Sequence, residues 1–270
     1  MMLYRIETVR VLKHTVALNM EMCDLICKHA ILNINSTNPG VVHTHSQLFS
    51  ERQETMLNFP KNTQVATFAG GCFWCTESDF ESIPGVLAVI SGYTGGNHAN
   101  PTYQQVCSGG TGHTEAVQVH YDPDQVTYPV LLDRFWRMID PTDAGGQFVD
   151  RGSQYRTAVF YHDANQKRLA EQSLDALNLS NRFDKPVATA ILPLADFYPA
   201  EEYHQDYYKK SPARYQSYRT HSGRDQFLAR IWRDVPSPAE TPVCPPRYRK
   251  PENATLRREL TPLQYQITQE

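Results

Sequence analysis

The chain reads as an α+β protein, a two-layer sandwich in which a mixed sheet carries helices packed against it. Three observations predict this. Short apolar or β-branched runs alternate irregularly with helical patterns between residues 61 and 235. The gaps between candidate strands are uneven, so a regular doubly wound sheet is not required. Three Trp, fifteen Tyr and eleven Phe in 270 residues are ample for a globular core.

The elements follow in order. Strands are expected at Gln64–Ala69, Val86–Tyr93, Glu115–Tyr121, Thr157–Tyr161 and Val187–Leu192. Helices are expected at Cys72–Ser82, Pro129–Ile139, Ala164–Leu177, Glu201–Lys209 and Arg224–Trp232. Thr127 and Asp163 are candidate N-caps, and Ile83-Pro84-Gly85 ends the first helix. Two Gly- and polar-rich stretches, Gly92 to Asn97 and Asp140 to Arg156, read as the long loops where sites tend to lie. Outside this region the pattern fades. Residues 1–60 carry no sustained period and read as a disordered N-terminal extension with little function. Residues 236–251 form a Pro-rich, extended linker containing Cys244. Residues 252–270 turn helical again through Leu256, Leu260 and Leu263.

Composition excludes several functions. A net charge of −3 gives no electrostatic footprint for nucleic acid. No apolar run approaches the roughly 20 residues that cross a bilayer. Glu21, Asp24 and Lys28 interrupt the best N-terminal apolar stretch, so no signal peptide is expected. Six scattered cysteines do not make a secreted disulfide framework. A reducing, cytoplasmic setting follows.

The richest stretch is Gly70-Gly71-Cys72-Phe73-Trp74-Cys75-Thr76-Glu77. Two glycines between a strand and a helix permit a sharp turn. Cys72 then stands at a helix N-terminus, where free N–H groups and the helix dipole favour a thiolate. Cys75 lies three residues on, with its Cβ about 5–6 Å away on the same face. A bridge between them needs only modest adjustment. The pair reads as a nucleophile with its own resolving thiol.

Rival readings stand beside it. Half a zinc site would need a second cysteine pair, and Cys23, Cys27, Cys107 and Cys244 form none. A zinc deaminase would place His113-Thr114-Glu115 before the cysteines and a proline where Gly71 stands. A thioredoxin-like disulfide oxidoreductase fits the spacing, but it has no oxygen to protonate and so no need of a separate acid. Taken singly, Glu115 could be a solvated charge, Phe73 and Trp74 could be core anchors, and His204 a structural hydrogen-bonding residue.

Five motifs in order carry a resemblance. They are Gly71-Cys72-Phe73-Trp74-Cys75, Gly92-Tyr93-Thr94-Gly95-Gly96, Thr114-Glu115-Ala116-Val117, Asp150 to Arg156 and Glu202-Tyr203-His204-Gln205. Together they resemble the A-type peptide methionine sulfoxide reductases, enzymes that reverse methionine oxidation. The resemblance implies that Cys72 is the nucleophile and Glu115 the acid that protonates the sulfoxide oxygen. It implies that Tyr103 and Tyr155 hydrogen-bond that oxygen, and that Asp150 is a polar residue near the nucleophile. Phe73 and Trp74 match the wall that receives the substrate methyl group.

It also implies S-epimer specificity, thioredoxin as reductant and no metal or other cofactor; the chain is expected to be a monomer. Many members carry glycine at the position of Cys75 and recycle through a C-terminal cysteine. The resolving role is therefore divided between Cys75, which is favoured because it closes a far shorter loop, and Cys244. The tail from Lys250 to Glu270 resembles the truncated start of a B-type methionine sulfoxide reductase domain.

Overall fold

The computed structural model describes residues 59–235. The N-terminal extension before that range, the linker, Cys244 and the tail lie outside the described residues. The architecture is α+β, as expected. Six strands make one mixed sheet: β1 (Gln64–Ala69), β2 (Val86–Thr94), β3 (Thr114–Tyr121), β6 (Ala158–Tyr161), β7 (Ala190–Pro193) and β8 (Phe197–Pro199). Their order is β7-β6-β1-β3-β2-β8. Every pairing is antiparallel except β6 with β7. A small hairpin, β4 (Gly146–Gln147) with β5 (Asp150–Arg151), stands apart from it.

Seven helices accompany the sheet among the described residues: α1 (Phe73–Glu81), α2 (Tyr103–Cys107), α3 (Tyr128–Trp136), α4 (Ala164–Leu179), α5 (Tyr207–Lys210), α6 (Pro212–His221) and α7 (Arg224–Ile231). One core joins α1 and α3 to the sheet. Phe68 of β1 stacks on Phe80 of α1 at 4.9 Å and on Phe135 of α3 at 5.0 Å. Burying aromatic side chains of this size dominates core energetics. Asp163 caps α4 by accepting from the Gln166 N–H at 2.8 Å, as its position suggests.

Two expectations need correction. The helix expected over Glu201–Lys209 forms only at Tyr207–Lys210. Asp206 takes a left-handed conformation (φ 53°), and the Gln205 side chain zips onto β2, accepting from Ser91 N at 3.0 Å and donating to Ser91 O at 2.8 Å. The strand expected from Val187 begins at Ala190, because Ala188 and Thr189 donate their N–H groups to the Pro141 carbonyl instead. Helix α6 and strand β8 were not legible: α6 has no apolar stripe, and β8 spans three residues.

The turn from β1 into α1 fixes where Cys72 lies. Gly71 adopts φ +83°, and a Cβ there would lie 2.6 Å from Cβ of Gln147. A Cβ on Gly70 would meet Oγ1 of Thr76 at 2.7 Å. Both the left-handed backbone and the closeness of the hairpin therefore require glycine.

Candidate active site

Cys72 is the N-cap of α1 and offers no side-chain cap. Its carbonyl is held by the N–H of Cys75 and Thr76, both at 3.2 Å, and by the Thr76 hydroxyl at 3.1 Å. The free N–H of Phe73, the first residue of the helix, reaches Oε2 of Glu115 at 2.9 Å. Strand β3 delivers Glu115 from beneath the helix, and only 2% of that residue is exposed. A carboxylate at a helix start is normally favoured, and the Phe73 bond does pull its pKa down. Burial outweighs that bond and pushes the carboxyl well above the usual range, with help from Asp150. Burial thus biases Glu115 toward its protonated form.

The two thiols are both buried and both free. Burial works against the helix-start bias toward a thiolate at Cys72. Burial pushes the Cys72 thiol up, and it donates a hydrogen bond to Cys75. That bond, with the positive charges of Arg224 and Arg219 nearby, pulls Cys75 down. The two shifts run in opposite directions, so a proton between the two sulfurs is held more tightly on Cys72.

Asp150 comes from the β4–β5 hairpin, whose turn places Phe148 at φ 56°. Gln147 braces it by accepting from Asp140 N at 2.9 Å and donating to Asp140 O at 2.8 Å. Burial raises the Asp150 carboxyl, against a short hydrogen bond from the Tyr218 hydroxyl. Tyr155, on the one-turn 3-10 helix Ser153–Tyr155, feels Glu115, Asp150 and Cys72, and burial holds its phenol protonated. Tyr218 is likewise kept as a phenol by burial beside the cysteine pair and Asp150.

An aromatic block closes one side. Trp74 stacks on Tyr207 at 3.8 Å and meets Tyr218 edge-on at 6.1 Å. Its indole N–H donates to Nδ1 of His204 at 3.1 Å. That bond makes Nδ1 the acceptor and leaves the ring neutral; burial lowers the His204 pKa to about 3. The imidazole lies between Phe73 at 4.9 Å and Tyr103 at 4.4 Å. Glu201 anchors this side, accepting from the Tyr93 hydroxyl at 2.8 Å and from Tyr103 N at 2.9 Å.

The structure thus gathers Cys72, Cys75, Phe73, Glu115, Asp150 and Tyr155 around one point, with Trp74 beside them. Tyr103 stands one ring away, across His204. Tyr218 and Arg224 were missed by sequence reasoning. The i, i+3 pair of Tyr215 and Tyr218 behind Ser211-Pro212, a helix-start signal, was the available clue to α6. Among the described residues, one acidic cluster could hold a metal (Glu77, Glu81 and Asp206), but Lys209 already bonds Glu81 and Asp206. No helix among the described residues is long and apolar enough to cross a membrane.

A buried dithiol beside a buried carboxyl biased toward its acid form fits an oxidoreductase that works through sulfur on a substrate needing a proton. The family model for peptide methionine sulfoxide reductase matches residues 64–235, and this chain belongs to that family.

It is similar to the peptide methionine sulfoxide reductase MsrA of Bacillus licheniformis, 58% identical over 169 residues, covering 63% of this chain and 93% of the relative. The MsrA/MsrB protein of Vibrio cholerae is 48% identical over 239 residues, covering 82% of this chain and 62% of that protein. Among solved structures, the reduced form of Mxr1 from Saccharomyces cerevisiae matches with a TM-score of 0.54 and 32% identity. That match covers 57% of this chain and 89% of the other. Methionine sulfoxide reductase A of Corynebacterium diphtheriae matches with 0.51 and 36%, covering 57% and 77%.

Proposed function

We propose that this chain reduces the S epimer of methionine sulfoxide, peptide-bound or free, to methionine. Cys72 is the nucleophile and Glu115 the acid. The observation that carries the reading is the buried Glu115 carboxyl, pushed up by desolvation, at the Phe73 N–H beside the sulfur pair. A sulfoxide oxygen leaves only once protonated, and a disulfide exchanger has no use for that proton.

The steps balance. Glu115 gives its proton to the sulfoxide oxygen while the Cys72 sulfur attacks the sulfoxide sulfur. The Cys72 proton passes to Cys75, the group it already bonds. The S–O bond breaks, hydroxyl moves to the Cys72 sulfur, and methionine leaves; the sulfoxide is reduced and Cys72 becomes a sulfenic acid. Cys75 then attacks that sulfur, water departs, and a Cys72–Cys75 disulfide remains. The Tyr103 and Tyr155 phenols hydrogen-bond the oxygen, Asp150 orders the polar side, and Phe73 with Trp74 receives the methyl group.

A dithiol reductant of the thioredoxin type restores the thiols and so is the expected partner; no cofactor is required. Residues 61–235 form the catalytic unit, and residues 252–270 resemble the start of a B-type domain. The match to the two-part Vibrio cholerae protein is longer than the family domain, which supports that reading of the flanks.

The test is an assay on both epimers of blocked methionine sulfoxide with dithiothreitol. Turnover of the S epimer alone is expected, and no turnover of either would reject the function. For recycling, Cys75→Ser is expected to complete one round of reduction and then stall with thioredoxin. Mass mapping of oxidised wild-type protein checks the assignment. A dominant bond to Cys244 would move the resolving role there.

A further inference from the structure

Arg224 opens α7 with its side chain turned inward, only 1% exposed. One arm of the guanidinium donates to the Gly70 carbonyl at 3.1 Å and the other to the Met138 carbonyl at 2.5 Å. Its plane covers the Phe148 ring at 4.7 Å. Its Nε has no hydrogen-bond partner, and among the described residues no carboxylate reaches ion-pair distance. Arg219 differs: it is bound to Asp79 at 2.6 Å and Asp225 at 2.9 Å. Two carbonyl dipoles do not neutralise a full charge, and a buried charge left without its opposite is strongly destabilising. Such a group persists where the protein supplies an anion in another form.

Position identifies that anion. Gly70 and Gly71 immediately precede Cys72, and a Cβ on Gly71 would lie 3.4 Å from Nη2 of Arg224. The groups facing the cysteine pair are Asp79 from α1, Glu115 from β3 and Asp150 from β5. Tyr155 faces it from the 3-10 helix, Tyr215, Tyr218 and Arg219 from α6, and Arg224 from α7. Asp79 is engaged by Arg219. Burial raises the carboxyl groups of Glu115 and Asp150, and the three phenols keep their protons. Among the described residues, Arg224 is the one cation facing the dithiol whose side-chain hydrogen bonds go to carbonyls alone, and it stands against the turn that carries Cys72.

We propose that Arg224 is the resident counter-cation of a thiolate shared by Cys72 and Cys75. It is a positioning residue, since it holds the turn that carries Cys72 and stabilises the reduced pair without touching substrate. The inference rests on reading that pair as the redox centre. One consequence concerns recycling. A disulfide leaves Arg224 without its anion, so the reduced form is favoured and the disulfide becomes easier to reduce.

The test alkylates reduced protein with iodoacetamide across pH 6–10 and quantifies modification of Cys72 and Cys75 by peptide mass. Arg224→Gln, which can still donate a hydrogen bond but carries no charge, is expected to move the profile up by about one pH unit or more. That is an alkylation rate about tenfold lower at pH 7. Arg224→Lys, which keeps the charge, is expected to stay near wild type. Identical profiles for wild type and Arg224→Gln would overturn the proposal. So would equal shifts in both variants, which would mark a purely structural role.

A measurement on the native sequence stands if Arg224→Gln does not fold. The 240 nm absorbance of reduced protein should show one thiolate below about pH 8.5 that a Cys72→Ala/Cys75→Ala variant lacks. No difference between the two below that pH overturns the proposal. Neither readout uses sulfoxide turnover. An inactive wild type with the expected profile would reject only the sulfoxide reading, and an active one with unmoved profiles only the role of Arg224.

Discussion

Replacement of Cys72 by serine is expected to abolish sulfoxide reduction, in single-turnover as well as steady-state assays. A hydroxyl is a far weaker nucleophile than a thiol at neutral pH, and oxygen cannot carry the reaction through a sulfenic acid. The substitution is nearly isosteric, so the N-cap position, the Phe73–Glu115 bond and the carbonyl contacts to Cys75 and Thr76 should survive. A thermal melt close to wild type would confirm an intact fold. Substrate binding through Phe73 and Trp74 should also remain, and calorimetry with the S epimer would report it. Any substantial single-turnover reduction by this variant would mean that another thiol attacks, and Cys75 would be the first to test.

The second large effect belongs to Glu115→Gln. The amide can still accept from the Phe73 N–H but has no acid proton to give. A fall of about 10²–10⁴-fold in the single-turnover rate is expected, the usual worth of a positioned acid. The pH dependence makes the assignment sharper. Folding raises the Glu115 carboxyl well above the ordinary range, so wild-type activity should fall as pH rises through that raised value. The glutamine variant should lack this alkaline limb.

Stability follows the same sign. The folded protein binds this proton more tightly than the unfolded chain. The contribution is therefore complete below about pH 4.3, the free glutamate value, and is lost as pH climbs through the folded value. The variant should accordingly lose less stability than wild type on the alkaline side, as melts across pH would show. Equal chemical rates in the two proteins would remove Glu115 from the mechanism.

Much of this molecule was legible in its residues. β1 matches its expected bounds, and β2, β3, α1, α4 and α7 fall within one or two residues of theirs, because alternation or a helical stripe with clear stop signals marks each one. The Gly70-Gly71 turn and the acid on β3 were legible for the same reason, since the constraint is local. What failed was long-range. Gln205 leaves a helical pattern because Ser91, 114 residues away, offers it both backbone groups. The opposite shifts of the two thiols come from burial and from charges such as Arg224, 149 residues beyond Cys75, and neither is encoded near the cysteines. Tyr218 sits in a helix with weak apolar periodicity, where the clue is tyrosine spacing, and nothing local marks the first residue of α7, Arg224, as a buried charge.

The bond from Arg224 to the Gly70 carbonyl spans 154 residues. A ribosome adding about 5–20 residues per second needs roughly 8–30 s to cover that distance. The dithiol is thus made well before Tyr215, Tyr218 and Arg224, the side chains that enclose it. In that interval the nascent chain carries its two thiols without their cover, open to the oxidants whose damage the mature protein repairs. A cell under oxidative stress would be making this enzyme at the moment the enzyme is itself most vulnerable, and protection of the emerging chain becomes part of the supply of active enzyme.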